Sequence, residues 1–150
     1  MAFLGSFDIS ASGMSAQRVR MDIAAENIAN MDTTRTESGG PYRRKNVLLE
    51  SYSDTSFAQA MENAARGKGI TSRHAGVRVS GIVEDDREAK KVYNPDHPDA
   101  DADGYVSYPN VNTVTEMTNL IDSTRAYEAN ATAFDATKSM ATTGLSIGKQ

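Results

Sequence analysis

The sequence predicts a mainly α fold with a small β insertion. Its N- and C-terminal helices pair as an α-helical coiled coil, with a small antiparallel β region and extended loops between them. Three observations carry this. From Thr113, alternating steps of four and three pick out Met117, Leu120, Thr124, Tyr127, Ala131, Phe134, Lys138, Ala141 and Leu145. That is the narrow seam of a coiled coil rather than the broad stripe of an ordinary core helix. The same count from Phe7 gives Ala11, Met14, Arg18, Met21, Ala25 and Ile28. Between the two seams lie short apolar runs around Val47, Val77 to Val83 and Lys90 to Tyr93, bounded by turn formers, as strands require.

The simplest pairing joins the two ends of the chain. Arg18, Thr124 and Lys138 interrupt the seams, and polar layers of that kind cost stability while fixing register. Ala25, Ala131 and Ala141 keep the buried area small. At about 25 cal/mol per Å² such a seam does not repay the ordering of about seventy residues, so the helices are expected to be completed by other chains. A plain two-helix core over a small domain is the alternative that spacing leaves open. Ile9, Val19, Ile23, Val114, Ile121, Met140 and Ile147 lie off both seams, and an isolated pair leaves them wet.

Residues 1–34 and 111–150 are therefore read as a terminal coiled-coil domain. Residues 35–110 are read as an extended loop, a small β region and a short inserted helix. The first helix runs from Met1 to Met31, with Ser6 or Asp8 to cap it, and stops where Asn30, Asp32, Thr33 and Thr34 compete for the backbone. Asn27 and Asn30 share a face just before that stop; they either bond backbone and a neighbouring loop or are simply solvated.

Ser38 to Pro41 is a turn-rich joint, followed by the basic run Arg43, Arg44 and Lys45 at a strand edge. That run is either solvated or meets an acidic neighbour. Ser56 opens a capping box for a short helix carrying Phe57, Met61 and Ala64, which stops at Gly67 and Gly69. The strand at Val77 to Val83 is expected to meet a shorter one at Lys90 to Tyr93 through Asp85 to Glu88. Asn94 to Asn110 holds three of the chain's four prolines and reads as a surface loop, and Thr113 with Glu116 forms the capping box of the last helix.

Composition excludes several functions. The 150 residues carry a net charge of −4 with 39% hydrophobic and 7% aromatic content, which argues against nucleic acid and fits an extended subunit better than a compact enzyme. No stretch reaches the ~20 apolar residues of a transmembrane segment, and the start MAFLGSFDIS lacks the pattern of a cleavable signal peptide. With no Cys, thiolate metal sites and Cys nucleophiles are absent.

Asp99, Asp101, Asp103 and Gly104 reproduce the first half of an EF-hand loop, but the twelfth position is Asn110 where a bidentate Glu is needed. A calcium-binding module on those aspartates is the rival reading, against a solvated acidic turn. His74 and His97 have no second ligand at metal spacing. No nucleophile, phosphate or dinucleotide motif is present, so no catalytic residue, metal or cofactor is expected and the chain is read as a non-enzyme.

Two blocks of sequence go further. FDISASGMSAQRVRMDIAAENIANMDTT contains Asn27, Ala29, Asn30 and Thr34 in an Asn-x-Ala-Asn, then Thr, arrangement. The second block holds Asp-Ala-Asp-Gly-Tyr-Val from Asp101, Pro-Asn-Val-Asn from Pro109 and Arg-Ala-Tyr-Glu-Ala-Asn from Arg125. Together they resemble the rod proteins of the bacterial flagellar basal body, and the second block is most similar to the proximal rod subunits, with another axial rod subunit as the alternative. The stretch from Thr55 to His74 looks longer than that family's usual middle.

The resemblance implies a structural subunit whose terminal helices pack with neighbours into a helical tube within the periplasm. Its partners would be other rod subunits, copies of itself, the MS-ring and export-gate junction proteins, and the flagellar type III export apparatus. It also implies export without a cleavable signal, with Phe3 and Phe7 as an N-terminal export motif that is equally a packed helical turn. The interface residues expected on this basis are Phe7, Met14, Met21, Asn27, Ile28, Asn30, Met117, Leu120, Tyr127, Phe134 and Leu145.

Overall fold

The computed structural model describes residues 2–37, 39–53, 61, 65 and 75–148, and for residues 2–4, 53 and 75 it describes the backbone alone. Helix α1 (Ala2–Ala29) and helix α2 (Thr113–Ile147) enclose strands β1 (Lys45–Ser53), β2 (Ala75–Glu84), β3 (Lys90–Tyr93) and β4 (Tyr105–Tyr108). Two long helices with small strand pairs between them are the fold class that the sequence predicts. Apart from Met61 and Ala65, which are helical, the short inserted helix, its Ser56 box and His74 lie outside the described residues, as does the side chain of Phe3.

The chain forms two compact units, and both long helices contribute to each. In the first, made of Met1–Arg18, Leu49–Ser80 and Arg125–Gln150, α1 and α2 run antiparallel: Phe7 meets Phe134 edge to face with ring centroids 4.8 Å apart, and Gly13 sits against Asn130. A Cβ at Gly13 would come within 2.9 Å of the Asn130 side chain, so this is a close crossing that only glycine allows. The strands pack on the same helix. The Ser12 hydroxyl donates to the carbonyl of Ile9 and accepts the amide of Val77, and a Cβ on Gly76 would strike Ser12 and Tyr52 at 2.9 Å.

The second unit comprises Val19–Leu48 and Gly81–Thr124. The helices are antiparallel here too, the hydroxyl of Thr113 donating to Met31 Sδ and that of Thr124 to Met21 Sδ. The β3–β4 hairpin pairs Lys90 with Tyr108 and Tyr93 with Tyr105.

That hairpin corrects two expectations. β3 pairs with β4 and not with β2, and β4 lies inside the segment read as loop. The cause is local: Gly104 takes φ +78, its amide donates to Asp101, and the Asn94 amide donates back to Gly104. Pro95 and Pro98 thus sit inside a turn-closed hairpin loop, and the Tyr-Val-Ser-Tyr run beyond it, rich in aromatic and β-branched residues, pairs as a strand. Val106 on β4 is fully buried.

Two helix starts also differ. α1 begins at Ala2, which puts Ser6 and Asp8 inside it rather than at its cap. α2 is capped by Asn112, whose Oδ1 accepts the amides of Val114 and Thr115. Glu116 does not complete a box with Thr113 because its carboxylate is drawn into a buried polar cluster.

The helix pairing keeps the expected period, but every second position moves by one residue. On α1, Phe7, Met14, Met21 and Ile28 are half-buried as expected. Between them Ser10 and Ala24 are buried and Gln17 half-buried, while Ala11, Arg18 and Ala25 are exposed. On α2, Leu120, Phe134 and Ala141 are half-buried. Glu116, Ser123 and Thr137 are buried and Asn130 half-buried, while Met117, Thr124, Lys138 and Leu145 are exposed. Small size and self-satisfied polarity explain the shift. Ser123, Asn130 and Thr137 each donate to the carbonyl four residues back on their own helix, so they can be buried without a partner across the seam.

Candidate assembly site

The most constrained part of the second unit is a cluster where the end of α1, the start of β1 and the first turn of α2 meet. Asn27 is 1% and Glu116 2% exposed. The amide nitrogen of Asn27 donates to the carbonyl of Lys45 at 2.9 Å and to Glu116 Oε2 at 3.0 Å. Its Oδ1 accepts the Tyr42 hydroxyl and the Lys45 backbone amide, both at 2.9 Å. All the hydrogen-bonding capacity of one amide is spent at this junction.

Glu116 is the charge at the centre. Arg44 donates to its Oε1 through Nε at 2.8 Å and Nη2 at 2.6 Å, and Asn119 adds a longer contact. Arg44 also lies 3.7 Å from Asp85. A buried carboxylate survives only when paired and hydrogen-bonded in this way. Among the described residues no buried side-chain nitrogen or oxygen lacks a partner.

Electrostatics follow from these contacts. Burial, then the negative charge of Glu26, pushes the Tyr42 hydroxyl up to about 12. Asp85 is held down at about 2, first by the Arg87 side chain, whose Nε reaches both carboxylate oxygens, and then by the Arg87 backbone amide. The basic run is not a free edge: Arg43 pairs with Asp86, Arg44 with Glu116 and Lys45 with Glu26.

Of the two readings of Asn27 and Asn30, the solvated one fails for Asn27. Asn30 donates to the carbonyl of Glu26 and accepts from Thr33, which shapes the exit from α1. Thr34 then donates to Asp99 Oδ2 at 2.7 Å, with Arg35 at 3.8 Å from the same carboxylate. Asp99 is thereby tied to the turn after α1. Asp101 and Asp103 are exposed, and among the described residues no group of three or more metal-binding side chains exists. His97 is engaged through Nδ1, which accepts the amide of Asp99.

Tyr42 escapes sequence reasoning, Asp85 reads only as part of a turn, and the acidic neighbour left open for the basic run is, for Arg44, Glu116 of the same chain. These partners lie far along the chain, where no local pattern points to them. Of the other expected interface residues, Met14, Met21, Ile28 and Leu120 are half-buried on the helix pair, Phe7 and Phe134 meet in the first unit, and Met117, Tyr127 and Leu145 are exposed. No helix among the described residues is long and apolar enough to cross a membrane.

Comparison with known proteins identifies both ends of the chain. Residues 7–35 match the family model described as flagella basal body rod protein, and residues 102–147 match that of the flagellar basal body rod FlgEFG protein C-terminal region. The flagellar basal-body rod protein FlgC of Bacillus subtilis (strain 168) is 48% identical, the match covering 99% of this chain and all of the relative. FlgC of Borreliella burgdorferi is 40% identical over 98% of each chain, and that of Escherichia coli O157:H7 is 38% identical over 99% of this chain and all of its own.

Proposed function

The chain belongs to the family of the flagellar basal-body rod protein FlgC, and on that premise we propose that it is a structural subunit of the proximal rod in the flagellar basal body. It assembles through α1 and α2 into the helical tube of the motor's drive shaft. The observation that supports this best is the apolar surface the chain leaves uncovered on α2: Val114, Met117, Ile121, Met140, Leu145 and Ile147 are all more than half exposed. Monomeric proteins rarely tolerate so much in one element unless a partner covers it.

In this reading the polar cluster shapes the subunit, while Met117, Tyr127 and Leu145 face neighbours together with Phe7, Met14, Met21, Ile28, Leu120 and Phe134. The partners are other rod subunits, further copies of the chain and the junction proteins at the base of the rod. The subunit reaches the periplasm through the flagellar type III apparatus without a cleavable signal, with Phe3 and Phe7 read during export. No catalytic step is assigned.

The test is a deletion strain complemented with this chain. Basal bodies from the complemented strain are expected to carry the full rod and those from the deletion strain to stop at its base. Complete rods in the deletion strain would remove the chain from the structure.

A further inference from the structure

We propose, resting on the rod-subunit reading above, that the exposed face Met117–Ile121–Arg125–Glu128 of α2 docks antiparallel on the exposed face Ala29–Ala25–Asp22–Arg18 of α1 in a second copy of the chain. The two faces differ in the way two mating surfaces should. Steps of four, four and three put Met117, Ile121, Arg125 and Glu128 on one side of α2, and steps of four, three and four put Ala29, Ala25, Asp22 and Arg18 on one side of α1. Met117 and Ile121 are 53% and 51% exposed, and all four α1 residues are exposed.

Size is complementary. Laid antiparallel, Met117 falls over Ala29 and Ile121 over Ala25, large side chains above positions that carry only a methyl group, which is the condition for knobs to enter holes. One turn on, Arg125 falls beside Asp22 and Glu128 beside Arg18. Both pairs are opposite in charge.

The charges are the stronger argument. Among the described arginines, Arg20, Arg35, Arg43, Arg44, Arg78 and Arg87 each have a partner within the chain. Arg18 and Arg125 stand apart from any ion pair among the described residues, as do Asp22 and Glu128. Among the described residues the other guanidinium groups are partnered, and these two lie outside any ion pair on the faces that also carry carboxylates outside any ion pair at matching spacing. Complementary rows of this kind fix register and partner choice across an interface.

The contact is heterologous, one face of α2 against a different face of α1, so it extends from copy to copy instead of closing on itself as an isologous dimer does. That is the geometry a tube wall needs.

The experiment uses basal bodies from cells expressing two differently tagged copies, one with Ile121→Cys and one with Ala25→Cys. The chain has no cysteine of its own, so each disulfide reports one contact. A mixed disulfide between the two tags is expected, and Arg125→Glu in the Ile121→Cys copy should lower its yield roughly tenfold because the introduced carboxylate would face Asp22. Asp22→Arg in the Ala25→Cys copy should restore it. The purified single variants are checked by circular dichroism, and the charge-swapped pair keeps the result readable if one alone folds poorly.

No mixed disulfide, or a yield indifferent to both charge changes, overturns the proposal. A disulfide from Ile121→Cys to a different rod protein also overturns it while leaving the rod reading intact. Neither tag recovered in basal bodies, with the mixed disulfide formed as expected between the purified copies in solution, would uphold the contact and count against the rod reading.

Discussion

Asn27 on α1 and Glu116 on α2 stand 89 residues apart in sequence and meet through a 3.0 Å hydrogen bond with both side chains almost wholly out of solvent. This bond joins the two termini at one layer and Arg44 neutralises it from β1's approach. Removing either residue alone leaves a buried hydrogen-bonding position of the other unfilled.

Asn27→Ala leaves the Tyr42 hydroxyl, the Lys45 amide and carbonyl, and one oxygen of Glu116 without their partner. The expected cost is about 2–4 kcal/mol, given that each unsatisfied buried group costs on the order of 1–3 kcal/mol and some regain water. Arg44→Ala should cost about 3–5 kcal/mol because it uncovers a buried carboxylate. Urea unfolding of the purified chain measures both, and changes below about 1 kcal/mol would mean the junction is wetter than the structure shows.

Alkaline pH should reveal Tyr42. Its folded value, about 12, lies above the ordinary 10.0, so the unfolded chain loses this proton first. Stability contributed by the neutral hydroxyl is complete below pH 10 and lost as pH rises from 10 towards 12. Tyr42→Phe should flatten that decline relative to the other tyrosines, at a cost of about 1 kcal/mol for the lost bond to Asn27. Unfolding curves across pH 9 to 12 decide it; an unchanged slope in the variant would place the proton elsewhere.

Acid acts through Asp85 with the opposite sign. Arg87 holds its folded value at about 2 against an ordinary 3.8, so the stabilisation is present above pH 4 and disappears as pH falls towards 2. Arg87→Ala should remove the part of the acid sensitivity that lies in this window. Arg87 is solvent-exposed, so salt should weaken its effect.

The long helices were legible because their period runs over many turns, and the strand cores at Val47 and Val77 to Val83 because alternation is local. The seam itself was only half legible. A search for apolar positions passes over Ser123 and Thr137, whose hydroxyls are satisfied by their own helix, and over Glu116, whose burial depends on Arg44 seventy-two residues away. The same limit hid β4. Its partner is set by the turn at Gly104 and by the tie from Thr34 to Asp99, and neither leaves a periodic trace.

Calcium should not bind tightly to the acidic hairpin loop. Asp99 already accepts the Thr34 hydroxyl and faces Arg35, and Asn110 stands where a bidentate Glu is required. Titration calorimetry is expected to show affinity no tighter than about millimolar, the range of the weakest such modules. Asp101→Asn should leave rod assembly unchanged, and micromolar binding abolished by that substitution would return the calcium reading to contention.

Phe134 separates export from assembly. It packs edge to face on Phe7 at 4.8 Å while remaining half-buried, so part of the residue stays open to solvent. Phe134→Ala should cost about 2 kcal/mol, below the 3–5 kcal/mol typical of a fully buried Phe. Phe134→Asp places a carboxylate against an aromatic ring and, in the proposed assembly, in the contact with the next subunit, with no cation assigned to it, a penalty of several kcal/mol. The polar cluster in the other unit does not involve this residue, so the variant should still be secreted and soluble while rods fail to form. Phe3→Ala with Phe7→Ala should instead lower secretion before assembly is reached. Secretion and motility of the strains are scored side by side: a motile strain with complete rods carrying Phe134→Asp would show that this helix contact does not hold the subunit in place.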